Sequence, residues 1–441
     1  MSPDEVEKND PSNPESPGAT TQDWGRIYVT RKCCGSANCR NFAPELFGEV
    51  APANDEGAVP RVLHGSHDEG SFTGVIRQPE SKEDYLAART AAAACGFGAI
   101  QLETPPAALP RAELGSPWRD WPRRLEDNVW IVGQPATKNY GALTYFIELP
   151  GGGVLVDVPK PSKELFDWLE AHGGVKWMFL SHRDHVQHHA EFAARFPGCR
   201  RIMGAADVNK RQNPYADATN TVEIKLGNGP LPMTLDGAPI PAEALANSEL
   251  AVLPQPGHTP GSLCLLYRGR FLFTGDHLAY SRRLGHVIAH RLQCWQDWER
   301  QTQSVNQLAA WAGAGQLSFQ WLLPGHGELI RLGDDGTSTA ETMELGRAVD
   351  WMRQQPPGHV PLLRWIPFVL SRAKPQGRFS RLVLAIGGQG RDSWLLPRAV
   401  RKYLADYEPA RAEASLHRLY AFGFAALATA GLVVWWAMRA P

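Results

Sequence analysis

Between residues 125 and 325 the chain alternates short apolar runs with amphipathic stretches. Asn128–Val132, Thr144–Glu148 and Val154–Val158 are runs of the length and composition of strands, the last two separated by the Gly151-Gly152-Gly153 turn. Ser162–Ala171 then changes to helical spacing behind a Ser at the capping position, and Trp177–Leu180 returns to strand character. Further strands are expected at Arg201–Met203, Leu250–Leu253, Cys264–Tyr267, Phe271–Phe273 and Trp321–Leu323, with a long helix near Gln293–Trp311. The alternation predicts an α/β sandwich. No internal repeat of fixed period is visible.

The flanks differ in pattern. Residues 1–23 are polar, with no apolar run, and read as a disordered leader rather than a secretory signal. Residues 24–104 form a compact stretch, and the Pro-rich segment 105–122 reads as a linker to a main domain at 123–345. Residues 346–418 are a basic region, with eleven Lys or Arg against four Asp or Glu from 361 onward. Leu419–Met438 follows as twenty residues without a charge. As a helix at about 1.5 Å per residue it spans about 30 Å, the hydrocarbon thickness of a bilayer. The expectation is a single-pass C-terminal membrane anchor, with Tyr420, Trp435 and Trp436 near the interfaces. The basic stretch facing the anionic leaflet would place the domains in the cytoplasm.

Composition adds limits. With 43% hydrophobic and 21% charged residues over 441 positions, the chain suits globular domains, and a net charge of -1 gives no general attraction to nucleic acid. Seven cysteines, an odd number without an export signal, argue for a reducing compartment over a disulfide framework. Cys199, Cys264 and Cys294 are scattered and read as small buried hydrophobes.

Candidate chemistry follows the apolar runs. Four segments place metal-binding side chains just after a strand: Phe179-Leu180-Ser181-His182, Pro256-Gly257-His258-Thr259-Pro260-Gly261-Ser262, Phe273-Thr274-Gly275-Asp276-His277 and Leu323-Pro324-Gly325-His326-Gly327. Several such strand ends can converge on one ion, and imidazole with carboxylate suits zinc, iron or manganese.

In these four motifs, over roughly residues 123–345, the chain resembles the metallo-β-lactamase superfamily. The resemblance implies an αββα sandwich binding one or two ions. His182 and His258 would hold the first, Asp276 would bridge, and His326 with His189 would hold the second. The family's H-x-H-x-D-H motif is altered to His182-Arg183-Asp184-His185-Val186-Gln187-His188-His189, so either Asp184 or His185 must supply a ligand, and His188 stands where a carboxylate would. Asp276, His258 and Asp184 are the candidate catalytic residues, and His277 is expected near the substrate or behind the ligands.

The front region carries Cys33, Cys34 and Cys39 on a loop, and Cys95-Gly96 at the end of an Ala-rich helix. It resembles a small α+β single-cluster ferredoxin, with Cys33, Cys39 and Cys95 in the first, third and fourth thiolate positions and Ser36 in the second. That resemblance implies a 3Fe-4S cluster, or a 4Fe-4S one completed by Cys34 or Ser36; a zinc site or a metal-free remnant are the alternatives.

The expected whole is therefore a ferredoxin-like domain, an αββα sandwich and a C-terminal transmembrane helix. Its expected activity is metal-dependent hydrolysis of a small thioester, ester, lactone, amide or phosphoester with zinc or iron. The alternatives are an iron-dependent oxidoreductase fed by the cluster and a redox partner, or a non-catalytic scaffold.

Overall fold

The computed structural model describes residues 24–30, 33, 35–50, 72–103, 109, 111–208, 221–291, 294–333 and 340–355. The leader, Cys34, the basic region beyond residue 355 and Leu419–Met438 lie outside the described residues. Among those described, no helix is long and apolar enough to cross a membrane.

The front region contains β1 (Ile27–Val29), α1 (Asn38–Phe42), β2 (Phe47–Val50), β3 (Phe72–Val75), α2 (Lys82–Ala94) and β4 (Ile100–Leu102). β1 pairs antiparallel with β4, and β2 with β3. A short helix α3 (Arg111–Leu114) leads to the main domain.

The main domain has two sheets. The first contains β5 (Arg123–Glu126), β6 (Val129–Ile131), β7 (Tyr145–Ile147), β8 (Gly153–Val156), β9 (Val175–Leu180), β10 (Arg200–Gly204) and β11 (Ile224–Leu226), with α4 (Lys163–Ala171) and α5 (His189–Arg195) in its crossovers. β5 to β8 are antiparallel, and β8 to β11 are parallel. The second has the order β12-β13-β14-β17-β18, from β12 (Leu250–Pro254), β13 (Leu263–Tyr267), β14 (Phe271–Gly275), β17 (Trp321–Pro324) and β18 (Ile330–Arg331). A separate hairpin joins β15 (Ala279–Ser281) to β16 (His286–Ile288). The helices α6 (Trp298–Gly313) and α7 (Ala340–Gln354) complete the order, and α7 runs past the expected boundary at 345.

Alternation along the strands fixes the layers. Tyr145, Ile147, Val154 and Val156 point between the sheets, where they meet Val252, Leu265, Phe271 and Phe273. Phe146 and Leu155 point the other way, onto Leu165 and Leu169 of α4 and Phe192 of α5. Leu266, Leu272 and Leu322 likewise meet Val305 and Leu308 of α6 and Leu345 of α7. Both sheets are thus covered on both faces, in four layers α/β/β/α.

The front region joins this interior instead of hanging from a free linker. Phe42 sets its ring edge-on to Trp118 and Trp121 at 5.9 and 4.7 Å, and Ile27, Leu46 and Phe47 belong to the same apolar cluster as the inter-sheet residues. The segment expected to be a linker therefore supplies two packing tryptophans.

Candidate metal centre and thiol cavity

Each centre residue stands just past the C-terminal end of a strand. His182 follows β9, His258 follows β12, Asp276 follows β14 and His326 follows β17. The parallel β14–β17 pair aligns Gly275 with Pro324, which sets Asp276 and His326 side by side. A bond from Leu263 N to Ser181 O (2.9 Å) ties the two sheets together at this end.

The side chains form two buried groups that share one carboxylate: His182, His258 and Asp276, and His185, Asp276 and His326. Asp276 Oδ2 lies 3.5 Å from His182 Nε2, 3.9 Å from His258 Nε2 and 3.4 Å from His185 Nε2, while Oδ1 lies 2.9 Å from His326 Nδ1. Gly325 is required here, since a Cβ would collide with the His185 ring.

Surrounding acceptors decide which ring nitrogen faces inward. Asp157, directly after β8 with φ 57°, accepts from Ser181 N and Ser181 Oγ, both at 2.8 Å. Ser181 Oγ then receives His182 Nδ1–H (3.0 Å), which turns an unprotonated Nε2 to the centre. His185 donates Nδ1–H to Asp157 Oδ2 (2.8 Å), and His326 donates Nε2–H to Tyr140 O (3.2 Å). Imidazole ligands are commonly fixed in this way by carboxylates or carbonyls behind them. His182 Nε2 and both nitrogens of His258 are buried without a hydrogen-bond partner, as suits atoms that would hold an ion.

Electrostatics follow the same geometry. Burial alone would lower the His185 pKa, but Asp276 and Asp157 outweigh it and push it up to about 10. Burial would raise Asp276, yet His326 and His185 hold it well below the usual carboxylate range. His258 is driven well below the ordinary imidazole value by burial and by His182.

Not every candidate reaches the centre. Asp184 sits at its rim, one-fifth exposed and 3.8 Å from His182 Nε2, while His185 occupies the position that the altered motif left open between them. His188 and His189 stand apart, contrary to the expected ligand set. His188 has a left-handed backbone (φ 72°) at the start of α5, and its Nδ1 lies 2.6 Å from Glu191 Oε1. His189 turns into α5, where its Nδ1 accepts from Arg201 (3.2 Å). His277 is buried and belongs to neither group, with burial lowering its pKa to about 3.

Two carboxylates escaped the sequence reading. Asp157 orients His182 and His185, and Asp207 accepts from Arg183 N, Thr259 Oγ1 and Gly261 N, joining the loops that carry His182 and His258. Each follows an apolar run; that was their one signal, and it does not separate them from an ordinary strand end.

In the front region Cys33, Cys39 and Cys95 line one cavity with Ser36, Ala37 and Thr73. The Cys39 thiol donates to Thr73 Oγ1 (3.4 Å), and Ala99 N donates to Cys95 Sγ (3.2 Å). Burial raises Cys33 against backbone hydrogen bonds from Gly35 and Thr73, and pushes Cys39 up to about 12.

No family model matches the chain. Over 142 residues, 31% of its length, it is 34% identical to a hydroxyacylglutathione hydrolase of Anaeromyxobacter dehalogenans (strain 2CP-C). The matched stretch spans 46% of that relative, less than half of it. Among solved structures, a metallo-beta-lactamase from Pontibacter korlensis is 17% identical with a TM-score of 0.36, covering 53% of this chain and 98% of that one. The FIM-1 enzyme of Pseudomonas aeruginosa, in a mono-zinc form, is 15% identical with a TM-score of 0.34, covering 51% and 94%. Scores at that level add nothing to what the sheets and layers establish by themselves.

Proposed function

We propose that the chain is a metal-dependent hydrolase of the metallo-β-lactamase type, acting on a small thioester or related acyl compound. The observation that carries this is the pair of buried groups sharing Asp276, with inward-facing nitrogens already selected by Asp157, Ser181 and Tyr140. The stretch of similarity to a hydroxyacylglutathione hydrolase supports the thioester class.

His182 and His258 would hold one ion, His185 and His326 a second, and Asp276 would touch both. Ions there supply Lewis acidity, polarising the substrate's carbonyl and letting water attack at neutral pH. The chain does the rest. Asp276, kept ionised, balances the positive charge, and Asp157 holds two rings in the orientation that binding requires. Asp184, at the rim, accepts the proton lost by the attacking water.

The cavity of Cys33, Cys39 and Cys95 supports a second element of the reading, an iron-sulfur cluster with an electron-transfer or sensing role. Soft thiol donors on one buried pocket, with an amide donating to Cys95 Sγ, fit such a group. The bond from Gly327 N, beside His326, to Ser36 O at the cavity favours a rival reading, in which iron at the His/Asp centre exchanges electrons with the cluster. Metal analysis of anaerobically purified protein separates the two: zinc at the centre with thioester cleavage supports hydrolysis, and iron there with reversible one-electron chemistry overturns it. Membrane attachment through Leu419–Met438 belongs to the same proposal, and recovery of the full chain without detergent would contradict it.

A further inference from the structure

The segments that line the thiol cavity continue directly into the loops that hold one half of the metal centre. Ser36 O accepts from Gly327 N (2.8 Å), the residue after His326. Asn41, on the helix that carries Cys39, donates to Gly327 O (2.7 Å) and accepts from Leu329 N (3.2 Å). Asn38, on the same helix, donates to Gly141 O.

From the other wall, Cys95-Gly96 lies flat on the Tyr140–Gly141 peptide. A Cβ at Gly96 would stand 3.1 Å from Tyr140 O, and one at Gly141 would stand 2.9 Å from Ala94 O.

That peptide belongs to the loop that fixes two of the ligands. Tyr140 O accepts His326 Nε2–H (3.2 Å). Asn139 receives Gln187 N on its Oδ1 (3.0 Å) and donates to His185 O (3.4 Å) and Val158 O (2.9 Å). His182 and His258 are anchored differently. Ser181 holds the first, and Trp295 N and Gln296 N, donating to His258 O at 2.8 and 3.1 Å, hold the second.

We infer that the occupant of the thiol cavity controls the second metal position, His185–Asp276–His326, and leaves the first, His182–His258–Asp276, nearly untouched. This rests on the metal-centre reading above. Filling the cavity fixes residues 33, 35–41 and 94–96; they fix Tyr140 O and the His326–Gly327 peptide; those fix the ring that must face the ion. Asn38 and Asn41 are the positioning residues of this link, touching neither a thiol nor an ion. Because coupling between sites is reciprocal, an ion at the second position also retains the cavity's occupant.

The test measures zinc affinity at both positions of the full chain, by competition with a chromophoric chelator, with the cavity reconstituted with iron and sulfide or left empty by Cys39→Ser. Emptying it is expected to weaken the second zinc by about tenfold or more, the scale of losing a ligand's outer partner, with the first within about twofold. Asn38→Ala and Asn41→Asp should retain the iron, judged by its visible absorption, and still weaken the second zinc alone. Added zinc should also slow the loss of iron to a chelator. Two zinc affinities indifferent to the cavity, or falling together by the same factor, would overturn the link while leaving the hydrolase reading standing. Failure of the second position to take zinc in any preparation would overturn the centre, and the link with it. Activity is not the readout, so an unidentified substrate does not decide the matter.

Discussion

At the His/Asp centre, burial sets opposite charges against one another: Asp276 is kept ionised by His326 and His185, and His185 is kept protonated by Asp276 and Asp157. In the thiol cavity burial outweighs what opposes it, the Thr73 hydroxyl and the Arg40 guanidinium, and Cys39 is pushed up to about 12. A metal-free centre is therefore an already compensated network, whereas in a metal-free cavity Cys33 and Cys39 are neutral thiols that a cation would deprotonate. Similar burial thus gives unequal dependence on an ion. The centre would keep its shape without one, and the cavity gains its charge from its occupant.

The largest effect is expected from removing the residue on which the centre's compensation turns. Asp276→Ala takes away the carboxylate shared by both groups and leaves His185 beside Asp157 alone. Zinc content should fall at both positions and hydrolysis should drop to that of metal-stripped protein, while any iron in the cavity is unchanged. Unaltered zinc stoichiometry, by elemental analysis, would refute the shared-ligand assignment.

Asp157→Asn acts one step further out. Asparagine can still accept from one neighbour, but it no longer offers His185 and Ser181 a shared anion. Second-position zinc affinity should fall roughly 10–100-fold, measured by chelator competition. The first position should weaken less, because Asp157 reaches His182 only through Ser181.

Acidity sharpens the same contrast. His185 is raised from 6.5 to about 10, so its charged form contributes stability that is fully present below pH 6.5 and lost as pH rises through about 10. Metal-free protein should lose thermal stability across that window. Zinc loading at the second position should release a proton from His185, while loading of the cavity should release protons from both Cys33 and Cys39, whose thiols burial keeps neutral. Calorimetry in buffers of different ionisation enthalpy counts them, and equal release at both sites would erase the distinction.

How much of this the sequence carried depends on whether a feature is local. The nine expected strands match within one or two residues, because strands covered on both faces read as short continuous apolar runs, whereas β5, β11, β15, β16 and β18 carry too little of that signal and were not expected. The helix start was not: the expected helix near Gln293–Trp311 begins at Trp298, because residues 295–297 are spent on bonds to the Gly257–His258 loop. The strand-end residues His182, His258, Asp276 and His326, which the fold brings together, were legible as motifs, and the cysteine spacing placed Cys33, Cys39 and Cys95 around one cavity. The choice between Asp184 and His185 turned on a short 3-10 turn at Arg183–His185, which no spacing specifies. Asp157 owes its role to a parallel neighbour, β9, and pairing of that kind is not local.

The smallest expected effect concerns the histidines that look alike in sequence. His185 and His189 lie four residues apart, yet the left-handed His188 starts α5 between them, and His189 belongs to neither of the two buried groups. His189 instead accepts from Arg201 NH1, a guanidinium that also donates to Thr221 O (2.7 Å) and through Nε to Glu223 Oε2 (3.0 Å). Arg201 in turn holds the Glu223 carboxyl down at about 2, against burial that would raise it. His189→Ala removes one acceptor from a buried donor, which costs about 1–3 kcal/mol. The loss should appear as a lowered denaturant midpoint at neutral pH. Zinc at both positions should be bound as before, since among the described residues neither buried group includes His189. His185→Ala should do the reverse, leaving the first zinc and removing the second. If His189→Ala instead strips the second zinc while His185→Ala spares it, the two residues have exchanged roles, and the motif follows the expectation drawn from its family resemblance, not the turn at His188.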